Sequence, residues 1–148
     1  MRYFEDFAPG QAFDMGPCRV SEAEIIAFAR RYDNQDFHTD PAAAKRSAFG
    51  GIVASGWHTI ALCMRMMADG YLRGSASLGS PGVDEVRWLK PVRPGDELRY
   101  RAVVREVVPS RSRNDRGIAH VDFTLSNQKG ETVMTMKAMQ MFGRRPAS

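Results

Sequence analysis

The sequence predicts an α+β fold in which a large antiparallel sheet curls around one central helix. Three observations carry this expectation. Residues 56–71 form an almost wholly apolar segment of helical length, the kind that must be covered on most sides. From about residue 83 onward, apolar and polar residues alternate with the period of two that marks half-buried strands. Turn-forming clusters separate those runs: Pro91-Val92-Arg93-Pro94-Gly95-Asp96, Arg113-Asn114-Asp115-Arg116-Gly117 and Asn127-Gln128-Lys129-Gly130.

The first element is a helix over 21–32. Ser21 and Glu24 make a capping box, and Val20 with Ile25 fits a hydrophobic staple. Ile25, Phe28, Ala29 and Tyr32 then share one face. A polar segment, 33–40, follows as a loop. Asp40-Pro41 reads as an N-cap with proline at the first helical position, opening a short helix through residue 46. Residues 49–54 are a loop or short extended stretch.

The long helix over 56–71 takes Ser55 as N-cap and ends at Gly70 or Gly74. His58, Arg65 and Asp69 form its narrow polar stripe, so most of its surface should be buried. Strands are expected at 83–89, 98–104, 119–125 and 132–142. Leu98, Tyr100, Ala102 and Val104 alternate in the second, and Ala119, Val121, Phe123 and Leu125 in the third. Consecutive hairpins imply a meander. Its open edges imply pairing with a second copy.

Bulk properties fit one domain spanning 1–148. The chain is 43% hydrophobic and 26% charged, and its apolar run around 60–68 is interrupted by Arg65, which argues against a membrane span. The first residues carry acids and no apolar signal core, so the cytoplasm is the expected compartment. Cys18 and Cys63 match no metal-ligand spacing, and Cys63 reads as a small core residue. The net charge of +4 is concentrated at Arg105, Arg111, Arg113 and Arg116 around one turn, and at Arg144 and Arg145. No aromatic interleaving accompanies them, so nucleic acid is not an expected partner. A solvated hairpin tip is the plainer reading, with a phosphate site the other.

Chemistry concentrates in 33–40. Asp33 follows the negative end of the first helix, where dipole and burial would both raise its pKa toward that of a general base. His38 could carry the complementary proton-transfer role, histidine being the side-chain type suited to proton exchange near neutral pH. Each also admits a plain reading: Asp33 as a helix terminator in solvent, His38 as a loop residue bonding backbone. Gly56, at the start of the long helix, leaves its N–H open to a substrate carbonyl, or is there for close packing. Ser55 reads as an N-cap, since no nucleophile-elbow pattern surrounds it. Asp40 reads as the cap of the short helix. His58 reads as structural or as pocket wall, and His120 as exposed on a strand.

The residues Asp33, Tyr32-x-x-x-x-x-His38-x-Asp40, Gly50-Gly51-Ile52-Val53-Ala54-Ser55-Gly56 and Pro91-Val92-Arg93-Pro94-Gly95-Asp96 resemble MaoC-like dehydratases, also called (R)-specific enoyl-CoA hydratases. The resemblance spans about 11–142, nearly the whole chain. It implies a hot dog fold, an antiparallel sheet wrapped around the long helix, and a homodimer or higher homo-oligomer with sites near the interface. It implies reversible addition of water to a trans-2-enoyl-CoA or related acyl thioester, giving a 3-hydroxyacyl thioester. Asp33 and His38 would be the dyad that handles water, Gly56 the amide donor to the thioester oxygen, and Ser55, Trp57 and Gln35 substrate-side residues. Coenzyme A enters as part of the substrate, with no metal or prosthetic group. The family motif runs close to D-x-N-P-hydrophobic-H-x-D. This chain has Gln35, Asp36 and Phe37 in place of its asparagine, proline and aliphatic residue, and Ser55 where many members carry histidine.

Two other functions use the same frame. A hot dog acyl-CoA thioesterase would direct a carboxylate at the same helix N-terminus to hydrolyse the thioester. A non-catalytic acyl-CoA-binding subunit would keep the fold without turnover. The pairing of Asp33 with His38 favours hydration.

Overall fold

Alternation along the last third of the chain builds three long strands, and the rest of the fold hangs on them. A computed structural model describes residues 1–147. In chain order its elements are β1 (Ala12–Arg19), α1 (Glu22–Tyr32), α2 (Asp36–Thr39), α3 (Pro41–Arg46), α4 (Gly56–Met67), β2 (Val83–Trp88), β3 (Glu97–Pro109), β4 (Arg116–Ser126) and β5 (Thr132–Gly143). The strands form one five-stranded sheet in the order β1-β3-β4-β5-β2, every pair antiparallel. Thus β3, β4 and β5 are the expected meander. β2 does not neighbour β3: it crosses the sheet to pair with β5 and becomes an edge.

β1 escaped the sequence reading because Gly16 and Pro17 interrupt it. The structure accommodates both. The register shifts between Met15 and Cys18, and Gly16 takes a φ of +98°, open to glycine and strained for other residues. A Cβ there would also stand 2.8 Å from the Leu98 carbonyl. As an edge strand, β1 tolerates the donor that Pro17 lacks.

The cap residues are realised, although of the expected capping box only the Ser21 half forms. Ser21 Oγ accepts from the Glu24 N–H at 3.1 Å, and Asp40 caps α3 through the N–H groups of Ala42 and Ala43 at 3.0 and 3.2 Å. The 33–40 loop is partly a helical turn, α2, which contains His38.

α4 packs along the sheet with Thr59, Cys63, Met66 and Met67 buried beneath it, and runs on into a wider turn over Ala68–Leu72. The sheet meets it with Leu98, Tyr100, Phe123, Leu125 and Met134, all buried. The expectation of a helix buried on most of its surface, with His58, Arg65 and Asp69 as its narrow polar stripe, is corrected here. His58, assigned to the polar stripe, is buried, whereas Trp57 and Met64 are 65% and 50% exposed in the single chain. The helical period places 57 and 64 on one stripe, pointing away from the sheet. Among the described residues no helix is long and apolar enough to cross a membrane.

The turn between β2 and β3 is pinned by Asp96, a buried carboxylate. It accepts from the Arg93 N–H and from the Gln128 side-chain amide, each at 2.9 Å. The same turn offers the Val92 carbonyl to the Ala54 N–H at 2.8 Å. Asp96→Ala strands both donors and should cost about 1–3 kcal/mol in urea unfolding. An unchanged unfolding midpoint would show that the turn holds without it.

Candidate active site

Three chain segments converge where α4 begins. α1 ends at Asp33, whose N–H closes the helix onto the Ala29 carbonyl at 2.8 Å. α2 follows at once and turns His38 inward until it is 5% exposed. The extended stretch 52–55 then passes beneath α2 and enters α4. Val53 ties the two together from both sides. Its N–H donates to the Phe37 carbonyl at 3.2 Å, and its carbonyl accepts from His38 Nδ1 at 2.5 Å.

A carbonyl only accepts, so that second bond puts a hydrogen on Nδ1; when the ring is neutral, its lone pair is then on Nε2. Nε2 stands 3.2 Å from Asp33 Oδ2. The two atoms are close enough to share one proton, and with the ring neutral both can accept from a water.

Asp33 departs from expectation. Its pKa lies below the ordinary 3.8, foremost because the Gln35 side-chain amide donates to Oδ1 at 2.6 Å. Burial opposes the shift, and the Ser55 hydroxyl and His38 add to it. The expected upward push from helix end and burial is thus outweighed by direct donors to the charged form. Because the folded pKa is depressed, this carboxylate stabilises the fold above pH 3.8, and that contribution is lost as pH falls through its folded value.

The dyad opens into a cleft of about 500 Å³, lined among others by Asp33, His38, Gly56, Trp57, Thr59 and Trp88. Aromatic rings bound it on two sides. Phe37 packs edge-on against His38 at 4.4 Å and meets Phe49 at 5.2 Å, while Trp57 and Trp88 meet edge-on at 5.8 Å. Gly56 begins α4, so its N–H is one of the helix's free first-turn donors, and Ser55 Oγ accepts from the Trp57 N–H at 3.3 Å. The site thus offers two proton acceptors, a positively polarised helix end and an apolar wall.

Asp33, His38, Gly56 and Trp57 are brought together in the cleft. Ser55 and Gln35 are not among its lining residues; both lie behind the dyad and act on Asp33. His58 points away, stacked on Phe28 at 4.7 Å and 8°, with burial pushing its pKa down. Its side chain lies between α4 and α1 because the turn of α4 carries position 58 a hundred degrees or so from 57. Asp36 is exposed at the start of α2.

The arginine-rich turn lies at the far end of the sheet. Leu125 pairs with Met134, which pairs with Trp88, while Arg116 begins β4 at the other end, roughly 30 Å along the strand. There Asp115 pairs with both Arg113 and Arg116, at 2.9 and 2.8 Å. Within one chain this is the solvated tip. Sequence reasoning missed Phe49, Thr59, Trp88 and Leu89 as cleft residues. An aromatic residue closing a predicted strand, three residues before Pro91, was the available signal for Trp88.

Comparison with known proteins gives the same picture. The family model described as MaoC like domain matches residues 6–134. YdeM of Bacillus subtilis (strain 168), an uncharacterised protein, is 32% identical over 125 residues, 84% of this chain and 87% of that one. The crystal structure of a MaoC-like dehydratase from Rhodospirillum rubrum superposes with a TM-score of 0.91 at 42% identity, covering 99% of this chain and 100% of that one. An (R)-hydratase from A. caviae involved in PHA biosynthesis has a TM-score of 0.70 at 26% identity, covering 96% and 99%. The hot dog fold implied by the resemblance is the fold observed.

Gln35→Leu removes the strongest donor to Asp33 while leaving the carboxylate in place. The Asp33 midpoint, followed by carboxyl carbon NMR, should then rise. An unmoved midpoint would mean that Gln35 does not set it.

Proposed function

This chain belongs to the MaoC-like dehydratase family, and from the geometry of its cleft we propose that it hydrates a trans-2-enoyl thioester reversibly to a 3-hydroxyacyl thioester. The observation that carries this reading is the pairing of His38 Nε2 with Asp33 Oδ2 at 3.2 Å in one cleft with the first residue of α4.

In the proposed reaction, a water donates one hydrogen to each acceptor. Asp33, held ionised by Gln35, keeps its hydrogen bond and orients the water. His38 Nε2 takes the other hydrogen as a proton while the water oxygen bonds to C3. The electrons of the C2–C3 double bond shift to form a C1–C2 double bond, leaving negative charge on the thioester oxygen. The Gly56 N–H and the dipole of α4 stabilise that charge. Return of the proton from His38 to C2 restores the carbonyl. Atoms and charge balance without a metal or prosthetic group, and coenzyme A is the carrier best suited to this reading. The cytoplasm supplies such thioesters.

Two adjacent acceptors favour hydration over hydrolysis, because a proton taken from water must be returned to carbon on the same face. Asp33→Asn and His38→Gln should each lower crotonyl-CoA hydration by about a hundredfold or more, followed by loss of enoyl absorbance. Thiol release without hydration would instead identify a thioesterase, and tight binding with no turnover an acyl-CoA-binding subunit.

We further propose that a second copy covers the apolar face formed by Trp57 and Met64 of α4 with Val83 and Leu89 at β2, each exposed by about half or more. β2 is a free edge, ready to pair. Val83→Asp combined with Met64→Glu should shift sedimentation from dimer to monomer. Unaltered sedimentation of the variant would place the interface elsewhere.

A further inference from the structure

Trp88 ends β2 and lies over the first residue of α4. Its Nε1–H donates to the Gly56 carbonyl at 3.2 Å. A Cβ on residue 56 would stand 2.6 Å from Trp88 Cε2 and 2.7 Å from Nε1, so glycine is what lets the indole approach. The same ring meets Trp57 edge-on, and both rings and Gly56 line the cleft.

Glycine at this position has a cost. It restrains its own backbone less than any other residue, and as the first residue of a helix its N–H has no intrahelical acceptor to hold it. Trp88 supplies that restraint from outside. The indole N–H holds the carbonyl of a cleft-lining residue whose own N–H is a free first-turn donor, and the ring covers that turn with apolar surface. A hydrogen-bond donor aimed at developing charge is worth more when fixed in advance and shielded from water.

Resting on the hydratase reading, we propose that Trp88 is the positioning residue for the thioester carbonyl, acting through Gly56. The indole does not exchange protons with substrate. It holds the α4 N-terminal amide in the direction the oxyanion needs. Gly56 is therefore required for two linked reasons, an accessible N–H and room for Trp88.

The test is a double-mutant cycle in the full chain, with kcat and KM read for crotonyl-CoA hydration. Gly56→Ala keeps the backbone N–H but pushes the ring away, and Trp88→Ala removes the ring. Each should lower kcat roughly tenfold with a smaller change in KM, because the affected contact strengthens in the transition state. The double variant should be no worse than Trp88→Ala alone. Trp88→Phe, which keeps a ring and loses the N–H, should fall between wild type and Trp88→Ala, and it serves if the alanine variant fails to fold by circular dichroism. Wild-type kinetics in the Trp88 variants, or losses that multiply in the double variant, would overturn the inference alone. No hydration by the wild-type chain would overturn the reading beneath it as well.

Discussion

The bond from His38 Nδ1 to the Val53 carbonyl organises the site from both directions. It places a hydrogen on Nδ1, so that in the neutral ring the Nε2 lone pair faces Asp33. It also fixes the 52–55 stretch against α2, assisted by the Val53 N–H on the Phe37 carbonyl. One residue later, the Ala54 N–H is held by the Val92 carbonyl. The chain entering α4 is thereby stitched between a helical turn and the β2–β3 turn, with few degrees of freedom left. Gly56 inherits its direction from that stitching. Backbone polar groups buried in this way need partners regardless of function, and here their satisfaction also aims the groups to which the proposed mechanism gives chemical roles.

The carboxylate shows how a departure from the family motif can be absorbed. A helix end and partial burial both disfavour charge on Asp33, yet the Gln35 amide reaches Oδ1 at 2.6 Å and keeps the group ionised. Glutamine's extra methylene lets its amide fold back over two residues, while Oδ2 stays free to face Nε2. The consequence for chemistry is a division of labour. A depressed pKa makes Asp33 a poor proton acceptor near neutrality and a good fixed charge, which leaves proton transfer to the imidazole in the proposed mechanism. Asp36, in place of proline, adds a charge at the solvent side of α2, away from the cleft lining.

Much of this was legible in the sequence where local rules act alone. Ser21, Asp40 and Ser55 cap the helices their spacing implied, and the alternation of 98–125 located β3 and β4. Asp33, His38 and Gly56, singled out in the sequence, line one cleft. What could not be read depends on long-range pairing. β1 carries a glycine and a proline that local rules assign to a turn, and only pairing with β3 makes it a strand. The position of β2 beside β5 is a matter of sheet order, which alternation does not encode. The pKa of Asp33 turned on a side-chain rotamer of Gln35. Composition placed α4 in the interior, but it cannot tell burial within one chain from an apolar face left for another copy.

That last ambiguity bears on how the site is built. β2 is an edge strand, and Trp88 sits at its end with its ring on the first residue of α4. Trp57, the ring's neighbour, lies on the same exposed stripe of α4 as Met64. The wall of the cleft and the apolar face assigned to a second copy are therefore one continuous surface. Edge pairing along β2 would fix the strand whose terminal residue restrains Gly56. Covering Trp57 would hold Trp88 from its other side. Ordering large side chains costs free energy, and a neighbouring copy packed on both indoles would add restraint to the contact Trp88 already makes with Gly56. Assembly of two copies would meet that cost once, on folding, so that each substrate encounters an amide already in place.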